Sequence, residues 1–214
     1  MTQSRAIVVV GAGGHAKVVL DLCERASVAV QGIVDPQLAA GASYLGVRVL
    51  GGDDVLDDTG KLADSAFVIA IGDGARRREL ARKIAAQGRN FATLVHPSAI
   101  IGARTAIGAG AVVFAGAVIN CDSKIGAHAI VNTGARIDHD CTIGDGVHIC
   151  PGSVLAGTVT VGEWTMVGAG TVIANNRVVG AHCTIGAGSV VVEDVPDRSL
   201  AYGNPCRVRG PAKG

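Results

Sequence analysis

Three adjacent residues could perform acid–base chemistry, and they are Asp138, His139 and Asp140. A histidine can take a proton from a reacting group near neutral pH, and a neighbouring carboxylate can orient its ring and raise its basicity. The residues alone support two interpretations, a general base with its orienting acid or a solvated surface cluster. They also leave open whether Asp138 or Asp140 orients the ring.

A second candidate site is the glycine-rich segment of residues 11–17, which includes Gly13, Gly14 and His15. It follows a predicted buried strand at residues 7–10 and precedes apolar residues at helical spacing. A strand–turn–helix of this kind can present backbone N–H groups and a helix N-terminus to an anion. A second predicted strand, residues 28–34, ends at Asp35, about where a ribose-binding acid stands in a dinucleotide fold.

This turn has three interpretations. Too few strands follow it for a complete NAD-binding domain, and a purely structural tight turn is the alternative without function. The residues favour a half-size mononucleotide site, with a nucleotide diphosphate near Gly13, Gly14 and His15 and with Asp35 on the sugar or base. A third predicted strand, residues 66–71, ends at Gly72, which shares this ligand-binding edge if the sheet is parallel.

The charged run at residues 76–83 follows that strand and opens a predicted helix that ends at about Gln87. A run of this kind is typical of a solvated helix face, so we predict no binding patch there.

A repeat positions the histidine triplet. From Ile101 to Val191 an aliphatic anchor recurs every six residues without a missed step, preceded two positions earlier by a mostly small residue. This period fits neither a helix nor an isolated strand and predicts a hexapeptide β-helix of about five coils. Three hexads form one coil, so residues eighteen apart stack. His139 follows an anchor by two positions, and His148 directly precedes one and should point outward.

Composition excludes several classes of function. The net charge of the 214 residues is +1, which argues against a nucleic-acid-binding surface. Aromatic residues make up only 3%, as expected for a solenoid interior that admits aliphatic and small side chains. Six cysteines without a C-x-x-C pair indicate reduced thiols rather than disulfides or a metal site. We find no membrane-span pattern and no signal peptide, and predict a cytoplasmic protein.

Five motifs, at residues 11–19, 68–72, 96–99, 138–141 and 203–205, occur in one order. Together they resemble the bacterial nucleotide-aminosugar N-acetyltransferases of the left-handed β-helix superfamily. Enzymes of this family act in bacillosamine, viosamine and perosamine pathways, and sialic acid O-acetyltransferases are close relatives. The resemblance covers essentially the whole chain.

The resemblance implies a fold and an assembly. An α/β N-terminal Rossmann-like half-domain, residues 1–96, would bind a nucleotide-linked amino sugar. A left-handed parallel β-helix, residues 97–195, would follow, and residues 196–214 would close the acetyl-CoA site. The protein would be a homotrimer with active sites between subunits, and it would need no metal.

The resemblance also assigns roles to residues. His139 would be the general base and Asp140 the acid that raises its basicity. The nucleotide-sugar would contact Gly13, Gly14, His15, Asp35 and Gly72. Acetyl-CoA would lie near His148, Ala169 and Ala187, matched by their positions within hexads. Asp140 stands where some relatives carry Glu, and Cys206 stands where relatives usually have Ala.

The predicted reaction is direct transfer of an acetyl group from acetyl-CoA to the 4-amino group of a UDP- or GDP-linked 4-amino-4,6-dideoxy sugar. Two alternatives stay open. One is O-acetylation of a sialic acid or another hydroxyl sugar. The other is a non-catalytic nucleotide-sugar-binding scaffold.

Overall fold

The computed structural model describes residues 6–58, 60, 62 and 64–212. The chain divides into two compact units between Leu94 and Val95, close to the predicted domain boundary after residue 96. Two parts of the sequence predictions lie outside the described residues. They are residues 1–5, on which the expectation of no signal peptide partly rested, and residues 213–214 of the predicted C-terminal segment.

The first unit is a largely parallel sheet with two α-helices. Its strands are β1 (Ile7–Val10), β2 (Val30–Val34), β3 (Ser43–Tyr44), β4 (Val47–Gly51), β5 (Ala66–Ile69) and β6 (Asn90–Phe91). Its helices are α1 (Gly14–Arg25), α2 (Gly74–Ala85) and a 3₁₀ helix at Asp53–Asp57. The strand order is β3-β4-β2-β1-β5-β6, and β3 alone among these described strands runs antiparallel to its neighbour.

The pairing of β1 with β2 and β5 determines which chain segments meet at the predicted ligand-binding edge of the sheet. Both pairs are parallel, with Val10 opposite Val34 on one side and opposite Ile69 on the other. The carboxyl ends of all three strands therefore meet at one edge of the sheet, as the sequence predicted for the segments after Val10 and before Gly72.

Helix α2 begins at a capped turn. The Asp73 carboxylate accepts a hydrogen bond from the Arg76 backbone N–H at 2.7 Å, which satisfies one of the free N–H groups of the first turn. The prediction of a fully solvated charged face is wrong for Arg77, whose residue is only 2% exposed. Its position in the helix points it inward together with Leu80 and Ile84.

The second unit is a parallel β-helix. Its first strands are β7 (Leu94–Val95), β8 (Ile100–Ile101), β9 (Ala106–Ile107), β10 (Val112–Val113), β11 (Val118–Ile119), β12 (Lys124–Ile125), β13 (Ile130–Val131), β14 (Arg136–Ile137) and β15 (Thr142–Ile143). They continue with β16 (His148–Ile149), β17 (Val154–Leu155), β18 (Thr160–Val161), β19 (Met166–Val167), β20 (Val172–Ile173), β21 (Val178–Val179), β22 (Thr184–Ile185) and β23 (Val190–Val191).

The predicted eighteen-residue stack is the observed register. Ile119 pairs with Ile137, Ile137 with Leu155, and Leu155 with Ile173. These anchors are buried in one continuous core. Each buried aliphatic side chain contributes about 1.5–3 kcal/mol relative to exposure, so the repeat itself supplies the stability of the unit.

Two turn rules explain the glycines and the corner residues. A Cβ on Gly126 would lie 2.5 Å from the Asp145 backbone nitrogen, so glycine after an anchor permits close approach of the next coil. The residue three positions after an anchor has positive φ, as at Asp122 (61°), His128 (57°) and Asp140 (58°). Glycine, asparagine, aspartate and histidine tolerate this region best, which accounts for most of the residues found there.

The C-terminal segment extends the β-helix. Strand β24 (Ser199–Tyr202) pairs in parallel with β22, and β25 (Arg207–Pro211) pairs antiparallel with β24. Over the described residues, neither α-helix has the length and apolar character that a membrane crossing requires.

Candidate active site

His139 projects from the turn after β14. Its side chain is 53% exposed, and its Nδ1 lies 2.8 Å from Oδ2 of Asp140. An ionised carboxylate only accepts hydrogen bonds, so Nδ1–H donates to Asp140 and Nε2 keeps a free lone pair. Asp140 itself has a left-handed backbone, with φ of 58°.

Asp138 has a different task from Asp140. Its Oδ1 accepts hydrogen bonds from the His139 backbone N–H at 2.8 Å and from Asn120 Nδ2 at 2.7 Å. Asp138 therefore fixes the backbone of the turn, whereas Asp140 contacts the imidazole ring. This geometry answers the question that the sequence left open.

Electrostatics favour protonation of this histidine. The hydrogen bond to Asp140 raises the pKa of His139 above its usual value, and the negative charge of Asp138 adds to the effect. One coil earlier, Asp122 contributes a smaller effect of the same sign. Arg104 holds the pKa of the Asp122 carboxyl low through two hydrogen bonds of 2.5 and 2.6 Å.

Gly157 lies against the imidazole ring, one coil after His139. A Cβ at this position would be 2.7 Å from Cε1 and 2.8 Å from Nε2 of His139. Distances this short require the ring to move, so glycine is what permits the observed ring position. The eighteen-residue offset from His139 was the available sequence signal for Gly157.

The residues proposed for acetyl-CoA share one sheet and its turns. His148 is half-buried on β16, where Asn132 Nδ2 lies 3.0 Å from its Nε2. The Asn132 Oδ1 accepts the Thr133 N–H at 2.8 Å, so its amide donates to His148. Ala169 and Ala187 are exposed on turns of the same sheet, stacked one coil apart.

The glycine-rich turn lies at the carboxyl end of β1. Gly11 is buried with φ of 109°, and a Cβ there would be 2.7 Å from the Ile71 side chain. Gly13 and Gly14 are exposed, and a Cβ at either would meet nothing within 4 Å. Gly13 immediately precedes α1, so these glycines leave the helix N-terminus accessible.

His15 differs sharply from His139. Burial lowers its pKa to about 4, and the positive charge of Arg77 contributes in the same direction. His15 is therefore neutral near pH 7 and can offer a polar ring without a charge.

Two buried or half-buried charged residues hold this edge together. Asp35 accepts the backbone N–H groups of Ala12 at 2.7 Å and of Gln37 at 2.8 Å. The Nη1 of Arg77 donates to the carbonyl oxygens of Ile71 at 3.0 Å and Gly72 at 2.9 Å. Asp35 thus holds the turn in place through a direct hydrogen bond. The sequence analysis predicted only that Asp35 contacts the sugar or the base of the nucleotide.

The structure shows which of the predicted site residues lie together and which further residues support them. The structure brings together His139 with Asp140, and Gly13, Gly14, His15, Asp35 and Gly72 at one sheet edge. It adds Asn120 and Gly157 around His139, and Arg77 behind Gly72. Within the described ranges, no group of three or more histidine, cysteine, aspartate or glutamate side chains could hold a metal ion.

Comparison with known families matches both units. Residues 6–84 match the PglD N-terminal domain, and residues 122–157 and 140–175 match the bacterial transferase hexapeptide model of six repeats. A curated relative, UDP-N-acetylbacillosamine N-acetyltransferase of Bacillus subtilis, is 38% identical over 117 residues. That match spans 51% of this chain and only 51% of the relative.

Solved structures give wider coverage. A mutant of perosamine N-acetyltransferase from Caulobacter crescentus, in complex with CoA and GDP-perosamine, is 40% identical with a TM-score of 0.91. The alignment covers 96% of this chain and 97% of that one. The acetyltransferase domain of PglB from Neisseria gonorrhoeae, in complex with acetyl coenzyme A, is 35% identical with a TM-score of 0.89, covering 96% and 100%.

These matches confirm the predicted fold class, a Rossmann-like α/β half-domain followed by a left-handed parallel β-helix. Identity of 40% over nearly the full length of both chains also confirms the resemblance drawn from the sequence motifs. The chain belongs to the nucleotide-aminosugar N-acetyltransferases, a family of acyltransferases built on hexapeptide repeats.

Proposed function

We propose that this protein transfers the acetyl group of acetyl-CoA to the 4-amino group of a UDP- or GDP-linked 4-amino-4,6-dideoxy sugar. The observation that carries the proposal is the hydrogen bond of 2.8 Å between His139 Nδ1 and Asp140, which leaves Nε2 free to accept a proton. The relative from Bacillus subtilis is a UDP-N-acetylbacillosamine N-acetyltransferase, and the one from Caulobacter crescentus is a perosamine N-acetyltransferase solved with GDP-perosamine, which supports the proposal.

The transfer is direct. The neutral amine attacks the thioester carbonyl carbon, a C–N bond forms, and the C–S bond breaks. His139 Nε2 takes the proton from the attacking nitrogen and returns it to the CoA thiolate. Asp140 stabilises the imidazolium that forms in between. No covalent acyl-enzyme is required, since holding both substrates together supplies much of the rate.

The nucleotide end of the acceptor binds at the glycine-rich edge. The exposed backbone of Gly13 and Gly14, at the N-terminus of α1, suits a diphosphate. His15, Asp35 and Gly72 complete this site. Acetyl-CoA lies along His148, Ala169 and Ala187, and residues 196–214 cover its pantetheine end.

The active form is a homotrimer with active sites between subunits. One face of the β-helix supports this assembly, because five of its six outward strand residues are aliphatic: Ile100, Val118, Val154, Val172 and Val190. Ile100 is 62% exposed and Val172 40%, so this face leaves apolar surface for a partner to cover. Sedimentation equilibrium should give three times the chain mass.

The cytoplasmic location predicted from the sequence stays a prediction.

A second candidate is O-acetylation of a sialic acid or another hydroxyl sugar. A hydroxyl needs a stronger base than an amine, and the close contact between His139 and Asp140 favours that chemistry as well. The third possibility, a non-catalytic scaffold, predicts that the protein fails to bind CoA.

The test is CoA thiol release with acetyl-CoA and a panel of UDP- and GDP-linked 4-amino sugars, with sialic acid alongside. Rapid release with one amino sugar supports the proposal. Release with sialic acid alone supports the O-acetyl alternative. Silence across the panel from a folded protein contradicts both.

A further inference from the structure

A small cleft opens at the same sheet edge as the glycine-rich turn. It has a volume of about 190 Å³ and lies where β1, β2 and α2 meet. Its apolar walls are formed by Val10, Val34, Ile71 and Leu80. A planar ring fits between aliphatic walls of this kind, and such clefts orient ligands through a few polar groups.

Three charged side chains line this cleft, Asp35, Asp53 and Arg76, and the last two form an ion pair. The Nη2 of Arg76 hydrogen-bonds to Oδ2 of Asp53, and both side chains are only about one-third exposed. The carboxylate and the guanidinium of this pair stand side by side. The two oxygens of Asp35 already accept the backbone N–H groups of Ala12 and Gln37, which leaves Asp53 as the carboxylate available to a ligand.

Both groups are held in place from behind. Arg76 Nη1 contacts Glu79 Oε2 at 2.7 Å. Lys83 Nζ donates to the Asp53 backbone carbonyl at 2.9 Å, which fixes the start of the 3₁₀ helix. Positions fixed in this way are suited to reading a ligand edge, because little ordering is left to occur on binding.

We propose that Asp53 and Arg76 read the base of the nucleotide, and that this base is guanine. The inference rests on the proposed function, since it assigns the base of the same nucleotide-sugar. Guanine presents two adjacent donors, N1–H and the N2 amino group, to one carboxylate. It also presents the O6 and N7 acceptors, which arginine recognises best.

Uracil matches this pair less well. A uridine nucleotide has a single ring N–H, so a carboxylate accepts one hydrogen bond from it rather than two. Adenine offers its amino group beside an acceptor nitrogen, which a carboxylate opposes. The cleft therefore selects guanine through the second hydrogen bond to Asp53.

The position of the cleft agrees with the positions proposed for the other parts of the nucleotide. Gly11 lines the cleft and begins the turn whose Gly13 and Gly14 would face the diphosphate. Asp35, Pro36 and Gln37 line it as well. Base and diphosphate thus occupy consecutive parts of one sheet edge.

The experiment is calorimetric titration of the full chain with GDP, IDP and UDP. IDP is the matched probe, because inosine differs from guanosine only by the missing N2 amino group. We expect GDP to bind about 10- to 100-fold more tightly than either IDP or UDP, the value of the one hydrogen bond to a charged group that both of these lose. This comparison uses the unmodified protein and so does not depend on a variant folding.

Substitution sharpens the assignment. Asp53→Asn replaces one acceptor by a donor and should reduce GDP affinity to the level of UDP, while UDP affinity changes by less than about threefold. Asp54→Asn, the same change at an exposed neighbour that does not line the cleft, is the control and should keep the preference.

Each contrary result has its own meaning. Equal or tighter binding of UDP, with CoA release from a UDP-linked amino sugar, overturns the guanine assignment and leaves the proposed function standing. Parallel loss of GDP and UDP affinity in Asp53→Asn means that Asp53 is structural and also overturns it. If none of the three nucleotides binds, the nucleotide site and the inference fail together.

Discussion

His139 and His15 lie in different units of the chain, and the protein shifts their pKa values in opposite directions. His139 stands exposed on a turn beside two carboxylates, which raise its pKa. His15 is surrounded by protein near the buried Arg77, and burial lowers its pKa to about 4. The same ring is thus prepared to accept a proton in one unit and to stay neutral in the other.

The two regions also position their functional groups by different means. In the β-helix, the eighteen-residue register places Asn120 beside Asp138 and Gly157 beside the ring of His139 through the regular backbone. At the α/β edge, Asp35 and Arg77 hold irregular turns through hydrogen bonds to backbone groups. A repeat can therefore vary one side chain without altering the scaffold, whereas the edge depends on individual buried contacts.

The largest expected effect is the loss of the base. His139→Asn should lower kcat by about 10²- to 10⁴-fold, because general base catalysis contributes that much. The affinity for CoA should change little. CoA release under saturating substrates measures the effect.

The control is His182→Asn, which alters another histidine on a turn of the β-helix and should retain nearly full activity. Near-normal turnover of His139→Asn would contradict the assignment of His139 as the base. The opposite pKa shifts of His139 and His15 would then have no role in catalysis.

A smaller effect tests whether the regular backbone sets the ring position. Gly157→Ala places a methyl group within 3 Å of Cε1 and Nε2 of His139, so the ring must move. We expect kcat to fall by about 10- to 100-fold, since a misplacement of about 1 Å is enough for such a loss. The melting temperature should change little, because the ring is exposed and can swing outward. Unchanged kcat would show that ring position is not critical.

The smallest effect concerns stability at the other edge. Because the pKa of His15 is lowered on folding, the unfolded chain binds more protons below pH 6.5, and stability falls as the pH drops from about 6.5 to about 4. The loss from this residue is at most about 3 kcal/mol.

His15→Gln should remove that part of the fall, which chemical denaturation at pH 7 and pH 4.5 measures. Carboxylates contribute to acid unfolding in both proteins and cancel in the comparison. An equal loss of stability in the variant would mean that His15 is not buried as a neutral ring.

The β-helix could be predicted from sequence because one physical requirement, an inward aliphatic residue at every sixth position, is repeated along its length. The anchors from Ile119 onward are buried as expected. The residues alone could not choose the partner of the ring, because Asp138 and Asp140 are equally near in sequence, and only the family resemblance pointed to Asp140. What separates them is the hydrogen bonding in the folded turn, where Asp138 accepts the His139 backbone N–H and Asp140 contacts the ring Nδ1.

The α/β edge was less predictable. The glycine-rich turn and the strand ends placed Gly72 and Gly13 correctly, since parallel strands bring their carboxyl ends together. The sequence did not distinguish Arg77 from its charged neighbours, because a charge pattern on a helix does not reveal which side chain meets the carbonyl groups of Ile71 and Gly72. Burying a guanidinium is tolerated only with such partners, and these form after the sheet and helix pack.

The central claim, that Asp140 prepares His139 as the base, is tested most directly by the pH profile of kcat/KM for the native protein and Asp140→Asn. Asparagine keeps the left-handed turn and removes the charge. Since the base must be unprotonated, activity of the native protein should fall as the pH drops below the raised pKa of His139. The variant should be slower, with its acidic limb moved to lower pH. The same acidic limb in both proteins would contradict the account.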